Sequence, residues 1–284
     1  MAEMVTNVQT ANRSRLRSMT VPREHGAWGM LLVPLAIGGA VGLRSTENLP
    51  ALLSLAFTAV TLFWLRTPVE ALLATTAMKA RSQDERRNLV VVIAALSILA
   101  LCCLGAIFWR GRNMALLPIG MVVAVAFGIQ AVVKRAGRKG RMPAQIIGSM
   151  GLTSTAAAGY CVANGGWAPI AIALWAINFA FAAGQVHYVQ VRIHSSRATT
   201  RSELLSIGDF FLLGEALLCA VMAGAWYFGL VPGLAALAFA PIVFRGFLLF
   251  MRRPGPLNVH HLGWTELTNA IVFGTLLCAA YWNH

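Results

Sequence analysis

Charge is what this chain of 284 residues has least of. Asp, Glu, Lys and Arg together make up 12 %, beside 58 % apolar residues, about half the charged share of a soluble domain. A soluble fold turns most of its residues toward water, so this composition excludes one. A lipid bilayer accepts that much apolar surface, and the reading is an all-α membrane protein. Acids are the scarcest group, ten against 23 Lys and Arg, for a net charge of +13. Such an excess can mark a polyanion binder. Here it is broken into short groups between apolar runs, which is how membrane proteins are oriented, so nucleic acid is not expected as a partner. The five cysteines, Cys102, Cys103, Cys161, Cys219 and Cys278, all lie inside apolar runs without CxxC or Cys/His spacing. That excludes a disulfide framework and a cysteine metal site, and no metal-binding residue is assigned. Also missing are a Walker A loop, a GxGxxG after a strand, HExxH and a serine nucleophile elbow. ATP-driven transport, nicotinamide binding and zincin proteolysis lose their usual signatures with them.

What is present is a series of apolar runs. After residues 1–22, which are polar, carry Arg13, Arg15 and Arg17 and are expected to be a disordered tail, nine runs follow. They lie at about 26–43, 48–66, 88–109, 113–133, 144–163, 167–190, 204–229, 231–250 and 262–282. Most have the roughly 20 residues that cross a hydrocarbon core. The prediction is a single transmembrane domain over 23–284. Lys and Arg test the count independently. Arg13, Arg15, Arg17 and Arg23 precede the first run. Arg66, Lys79, Arg81, Arg86 and Arg87 lie between runs two and three. Lys134, Arg135, Arg138, Lys139 and Arg141 lie between four and five. Arg192, Arg197 and Arg201 follow run six, and Arg245, Arg252 and Arg253 mark the end of run eight. Only Arg44, Arg110 and Arg112 fall on the other side. This partition predicts nine helices with a cytoplasmic N-terminus, since basic residues collect inside. The expected location is the inner, cytoplasmic membrane of the cell.

The longer connections all fall on that inner side, and chemistry tends to reside on them. Acids near membrane depth are costly and mark functional positions by default. Glu24 opens the first run in Arg23-Glu24-His25, Glu70 follows the second, and Glu266 stands in Leu262-Gly263-Trp264-Thr265-Glu266. Asp209 and Glu215 lie in the seventh, with Glu215 the deepest. The sixth run ends with Gln185, Tyr188 and Arg192 spaced i, i+3, i+7 on one face, and His187 beside it. Lipid offers such a stripe no partners. Glu24, Glu70, His187 and Glu266 are therefore candidate catalytic groups. His25, Arg81, Arg86, Arg87, Lys134, Arg135, Gln185, Tyr188, Arg192 and Trp264 are candidate substrate-binding groups, the arginines because their forks suit phosphate oxygens. The plainer reading is that each acid fixes packing against a basic neighbour and that the arginines set topology.

Pro22-Arg23-Glu24-His25-Gly26-Ala27-Trp28, then Leu31-Leu32-Val33-Pro34, together with Leu262-Gly263-Trp264-Thr265-Glu266, resembles the YwiC-like bacterial membrane proteins over residues 20–284. A more distant resemblance is to the UbiA intramembrane prenyltransferases. Lys134-Arg135 followed by Pro143-Ala144-Gln145 and Gly148 is similar to a stretch before their fifth helix. That resemblance implies a UbiA-like helical arrangement and active-site loops after helices two and six, where Lys79 to Arg87 and Gln185 to Arg197 stand. It also implies aspartate-rich motifs holding Mg²⁺ against an isoprenoid diphosphate. Only Glu70 and Asp84-Glu85 occur near the first such position, and no acid at the second. The cofactor stays open, with Mg²⁺ a candidate that lacks its usual ligands. Three functions follow. One is a UbiA-type protein binding an isoprenoid or another amphiphile, such as an anionic lipid, with its anionic head at the cytoplasmic face. The others are a transporter of a small or lipidic solute, against which the missing internal repeat counts, and a non-catalytic membrane scaffold.

Overall fold

In hydrocarbon a chain has to satisfy its own backbone polar groups, and apolar runs therefore fold as helices. The computed structural model of the protein describes residues 15–22, 25–43, 45–74, 79–109, 111, 114–137, 140–196, 198, 200–251 and 257–282, with His25 in its backbone alone. Its helices are α1 (His25–Gly42), α2 (Leu49–Leu72), α3 (Gln83–Trp109), α4 (Leu116–Lys134), α5 (Arg141–Thr153), α6 (Thr155–Asn164), α7 (Pro169–Ser195), α8 (Arg201–Tyr227), α9 (Gly233–Leu237), α10 (Ala240–Met251) and α11 (Val259–Tyr281). Among the described residues eight stretches are long and apolar enough to cross a bilayer. They are α2 with the turn before it, α3, α4, α5 with α6, α7, α8, α9 with α10, and α11. Gly26–Gly42 adds a shorter apolar helix. The protein is thus a multi-pass helical membrane protein.

Two of the apolar runs are broken helices. The fifth divides at Ser154, where three successive hydroxyls turn back onto the backbone. Thr153 Oγ1 donates to the Ser149 carbonyl at 2.8 Å, Ser154 Oγ to Gly151 at 2.7 Å, and Thr155 Oγ1 approaches Leu152 O at 2.8 Å. Such bonds compete with the helical ladder and bend it. The eighth divides at Ala238–Phe239, between α9 and α10.

By internal packing the chain divides into two compact units. One comprises Met1–His25 and Pro50–Asn113, the other Gly26–Leu49 and Met114–His284. In the first, residues 15–20 are helical, unlike the disordered tail expected over 1–22; residues 1–14 lie outside the described residues. Their order has local causes. Met19 is 1 % exposed and packs with Ala71 of α2 and Leu89 of α3, with Leu16 beside them. Trp64 Nε1–H donates to the Thr20 carbonyl at 2.6 Å, and Arg15 pairs with Glu85 at 2.7 Å. Glu85 also closes a capping box: its Oε2 accepts from the Arg81 and Ser82 N–H groups at 2.7 and 3.3 Å, and Ser82 Oγ accepts from the Glu85 N–H at 3.1 Å. Met19→Asp places a charge in this apolar seat, at a cost of several kcal/mol. Limited trypsin digestion should then cut after Arg15 and Arg17 faster than in the wild type. Equal protection of the two proteins would show that Met19 does not hold the segment.

The second unit is organised on α6, whose Ala156, Ala157, Ala158, Gly159, Tyr160, Cys161, Val162 and Ala163 are all buried. Small residues let α1 come close enough that Thr155 Oγ1 lies 2.9 Å from the Leu31 carbonyl. Gly165, at φ 80°, ends α6 in the left-handed conformation glycine tolerates. Pro169 then opens α7 two residues after Trp167. At the centre of the unit Phe181 of α7 stacks on Phe273 of α11 at 4.0 Å, with Phe239 edge-on to that ring at 5.2 Å.

Candidate functional site

The polar stripe of α7 is one side of a buried cluster in the second unit. Gln185 and Tyr188 are 7 and 8 % exposed, with Arg192 half-buried on the same face. Gln185 Nε2 donates to the Glu266 carbonyl of α11 at 3.0 Å. The Glu266 carboxylate forms an ion pair with Arg245 of α10. The Arg245 guanidinium lies over the Tyr188 ring, 3.8 Å from its centroid. That stack gives the cation a second source of stabilisation, strongest where water is excluded. Three helices are joined by one arginine.

A fourth helix contributes Glu215 of α8, 4 % exposed. A Cβ on Gly184 of α7 would stand 3.8 Å from its Oε1, and one on Gly246 of α10 would stand 3.7 Å from its Cδ. The two glycines bring the α7 and α10 backbones up to this carboxylate, and Gly246 places it beside Arg245. One guanidinium therefore serves two buried acids. Hydrogen bonding in the cluster is incomplete. Glu215 Oε2, Glu266 Oε2, Arg245 Nε and Asn269 Nδ2 are buried with no hydrogen-bond partner among the described residues. Buried polar atoms are satisfied in the great majority of folds, so the exceptions on Glu215, Arg245 and Glu266, with Asn269 one turn further along α11, mark a place able to receive further polar atoms.

The residues singled out from the sequence are divided by the fold. Gln185, Tyr188 and Glu266 meet in this cluster. His187 points to α8, its ring edge-on to Phe211 at 5.2 Å. Trp264 is 60 % exposed and donates to His260 at 3.1 Å; two residues from Glu266, it occupies the opposite side of α11. Lys134 is half-buried and Arg135 exposed at the end of α4. Glu70, Arg81, Arg86 and Arg87 belong to the first unit. Glu70 pairs with Arg66 at 2.9 Å, and the three arginines are exposed at the start of α3. Glu24 and the His25 side chain lie outside the described residues. Arg245 and Asn269 were missed as site residues. Arg245 carried a signal, since Phe244-Arg245-Gly246 puts an arginine inside an apolar run.

Among the described residues no three His, Cys, Asp or Glu side chains gather to hold a metal. Of the three acids nearest the position where UbiA-type enzymes hold Mg²⁺, Asp84 is exposed at the start of α3 and the other two are engaged in other contacts. Glu85 is taken up by Arg15 and two backbone N–H groups, and Glu70 by Arg66. Neither carboxylate offers the open oxygens that Mg²⁺ requires.

No curated protein and no solved structure matches the chain. The model of the family described as YwiC-like protein matches residues 21–160, a stretch that ends within α6, before the buried cluster begins. Over that stretch, just under half of its length, the chain is similar to the YwiC-like proteins.

Proposed function

We propose that this membrane protein crosses the inner membrane nine times and binds an amphiphile, an isoprenoid or a lipid of similar build, with its anionic head at the cytoplasmic face. The observation that carries the reading is the incompletely satisfied cluster of Gln185, Tyr188, Arg245, Glu266 and Glu215. Keeping charges in hydrocarbon is costly, and groups that only fixed packing would be expected to satisfy one another. Arg245 and Arg192 supply the cationic side of such a seat. The exposed Arg81, Arg86 and Arg87 suit the attraction of anionic lipid to the membrane surface, about 1 kcal/mol for each charge. A prenyl transfer of the UbiA kind would need its leaving diphosphate stabilised, and two of the three acids near its magnesium position, Glu70 and Glu85, are engaged elsewhere. The proposal is therefore binding.

The test is the lipid content of the purified protein. Mass spectrometry of its extract should show one amphiphile in roughly molar proportion and enriched over the membrane it came from, and Tyr188→Leu should reduce that enrichment. An extract with bulk membrane composition, the same in wild type and variant, would overturn the reading.

A further inference from the structure

The unsatisfied atoms differ in kind, and the difference constrains what the site takes. Two are acceptors, Glu215 Oε2 and Glu266 Oε2; two are donors, Arg245 Nε and Asn269 Nδ2. Asn269 stands three residues after Glu266 on the same face of α11. Glu266 pairs with Arg245, and Glu215 lies against the next residue of α10, Gly246. A head that only accepts, such as a diphosphate, can satisfy the two donors. It leaves both carboxylates unpartnered and adds several negative charges beside them, in surroundings where like charges repel strongly. A purely cationic head has the opposite fault at Arg245 and Asn269.

Resting on the reading that this cluster seats an amphiphile's head, we infer that the head is amphoteric: a singly charged anionic group held by Arg245 and Asn269, next to an ammonium that donates to Glu215. Its charge sums to zero, so it enters without leaving a buried ion uncompensated. Glu215 is the discriminating residue, because it is 4 % exposed, has an unpartnered oxygen and accepts only from a group that carries a proton to share. The shared chemistry is that of phosphoethanolamine, whether presented by a membrane lipid or by a soluble molecule.

Native mass spectrometry of the full-length protein tests this, in mixed micelles holding equal amounts of phosphatidylethanolamine, phosphatidylcholine and phosphatidylglycerol together with geranylgeranyl diphosphate. Phosphatidylcholine has the same phosphate and positive charge but no N–H donor. The expected result is about a tenfold preference for phosphatidylethanolamine over phosphatidylcholine, the size of one hydrogen bond to a charged group. Glu215→Gln, nearly isosteric, should bring that ratio down to about threefold or less. Asn269→Leu should weaken both lipids alike and leave the ratio unchanged, because the phosphate it contacts is common to them. Displacement by soluble glycerophosphoethanolamine would assign the ligand to the soluble source, and its failure would assign it to the lipid. Capture of geranylgeranyl diphosphate with no ethanolamine preference would overturn the amphoteric head while leaving amphiphile binding intact. Equal, bulk-like occupancy by all four would overturn both and leave the cluster to water.

Discussion

Valine at Gly38 abolishes the folded protein, while alanine at Gly128 leaves it intact. A Cβ at Gly38 would overlap the Ala156 carbonyl of α6, and one at Gly42 would stand 2.6 Å from the Tyr160 carbonyl. From the other side, a Cβ at Gly159 would stand 2.8 Å from the Leu35 carbonyl and 3.1 Å from Gly39 N. Each obstructing atom is backbone, so no rotamer change relieves the overlap and the two helices must separate. Small residues four apart are how helices in lipid reach this distance, since dispersion and close polar contacts replace the missing hydrophobic drive. Overpacking of a core with room to adjust already costs about 1–3 kcal/mol. Here the separation also removes the contact of Thr155 with Leu31, against a total stability of about 5–15 kcal/mol. Gly128 of α4 has nothing within 4 Å of its Cβ position, so alanine there changes helix propensity alone, in its favour by about 1 kcal/mol. Size-exclusion profiles of the two variants in detergent decide the matter. A monodisperse Gly38→Val protein melting within a few degrees of the wild type would show that α1 and α6 are not packed this way.

The sequence made the crossings legible because two signals agree. Apolar runs of membrane length coincide with helices from α2 to α11, and Lys and Arg alternate between connections. Runs say less about continuity. The breaks at Ser154 and at Ala238–Phe239 depend on side chains bonding back to the main chain and on local packing, which hydropathy averages away. Residues 15–20 escaped for another reason. Leu16 and Met19 make a single apolar turn, too short for periodicity, and its order comes from Trp64, Glu85 and Leu89, far along the chain. The site was half legible. Spacing put Gln185 and Tyr188 on one face, and both are there. The same geometry turns Trp264 away from Glu266 by about 200° on α11. In the sequence Arg245 reads as a topology charge, because its partner Glu266 is 21 residues away.

Arg245→Ala is expected to cost more than the loss of either acid it serves. The guanidinium and the Glu266 carboxylate are 16 and 13 % exposed as side chains, so water screens the pair little. Removing the arginine leaves Glu266 and Glu215 buried without a counter-charge. Breaking a buried pair by deleting one partner costs about 3–5 kcal/mol, most of it the penalty of the charge left behind. Glu266→Gln is milder. The amide still accepts from Arg245, Glu215 remains beside the guanidinium, and the expected loss is about 1–2 kcal/mol. The double variant Arg245→Met with Glu266→Gln removes one charge of each sign and keeps most of the volume. It should recover more than half of the single Arg245→Ala loss, because replacing both members of a buried pair is often close to neutral. Thermal unfolding of the four proteins in one detergent gives the comparison. A double variant that loses the sum of the single effects would mean that Arg245 and Glu266 act independently. Recovery of stability without recovery of lipid enrichment would separate the ion pair of Arg245 with Glu266, which joins α10 to α11, from the ligand contact proposed for its Nε–H, which faces no partner among the described residues.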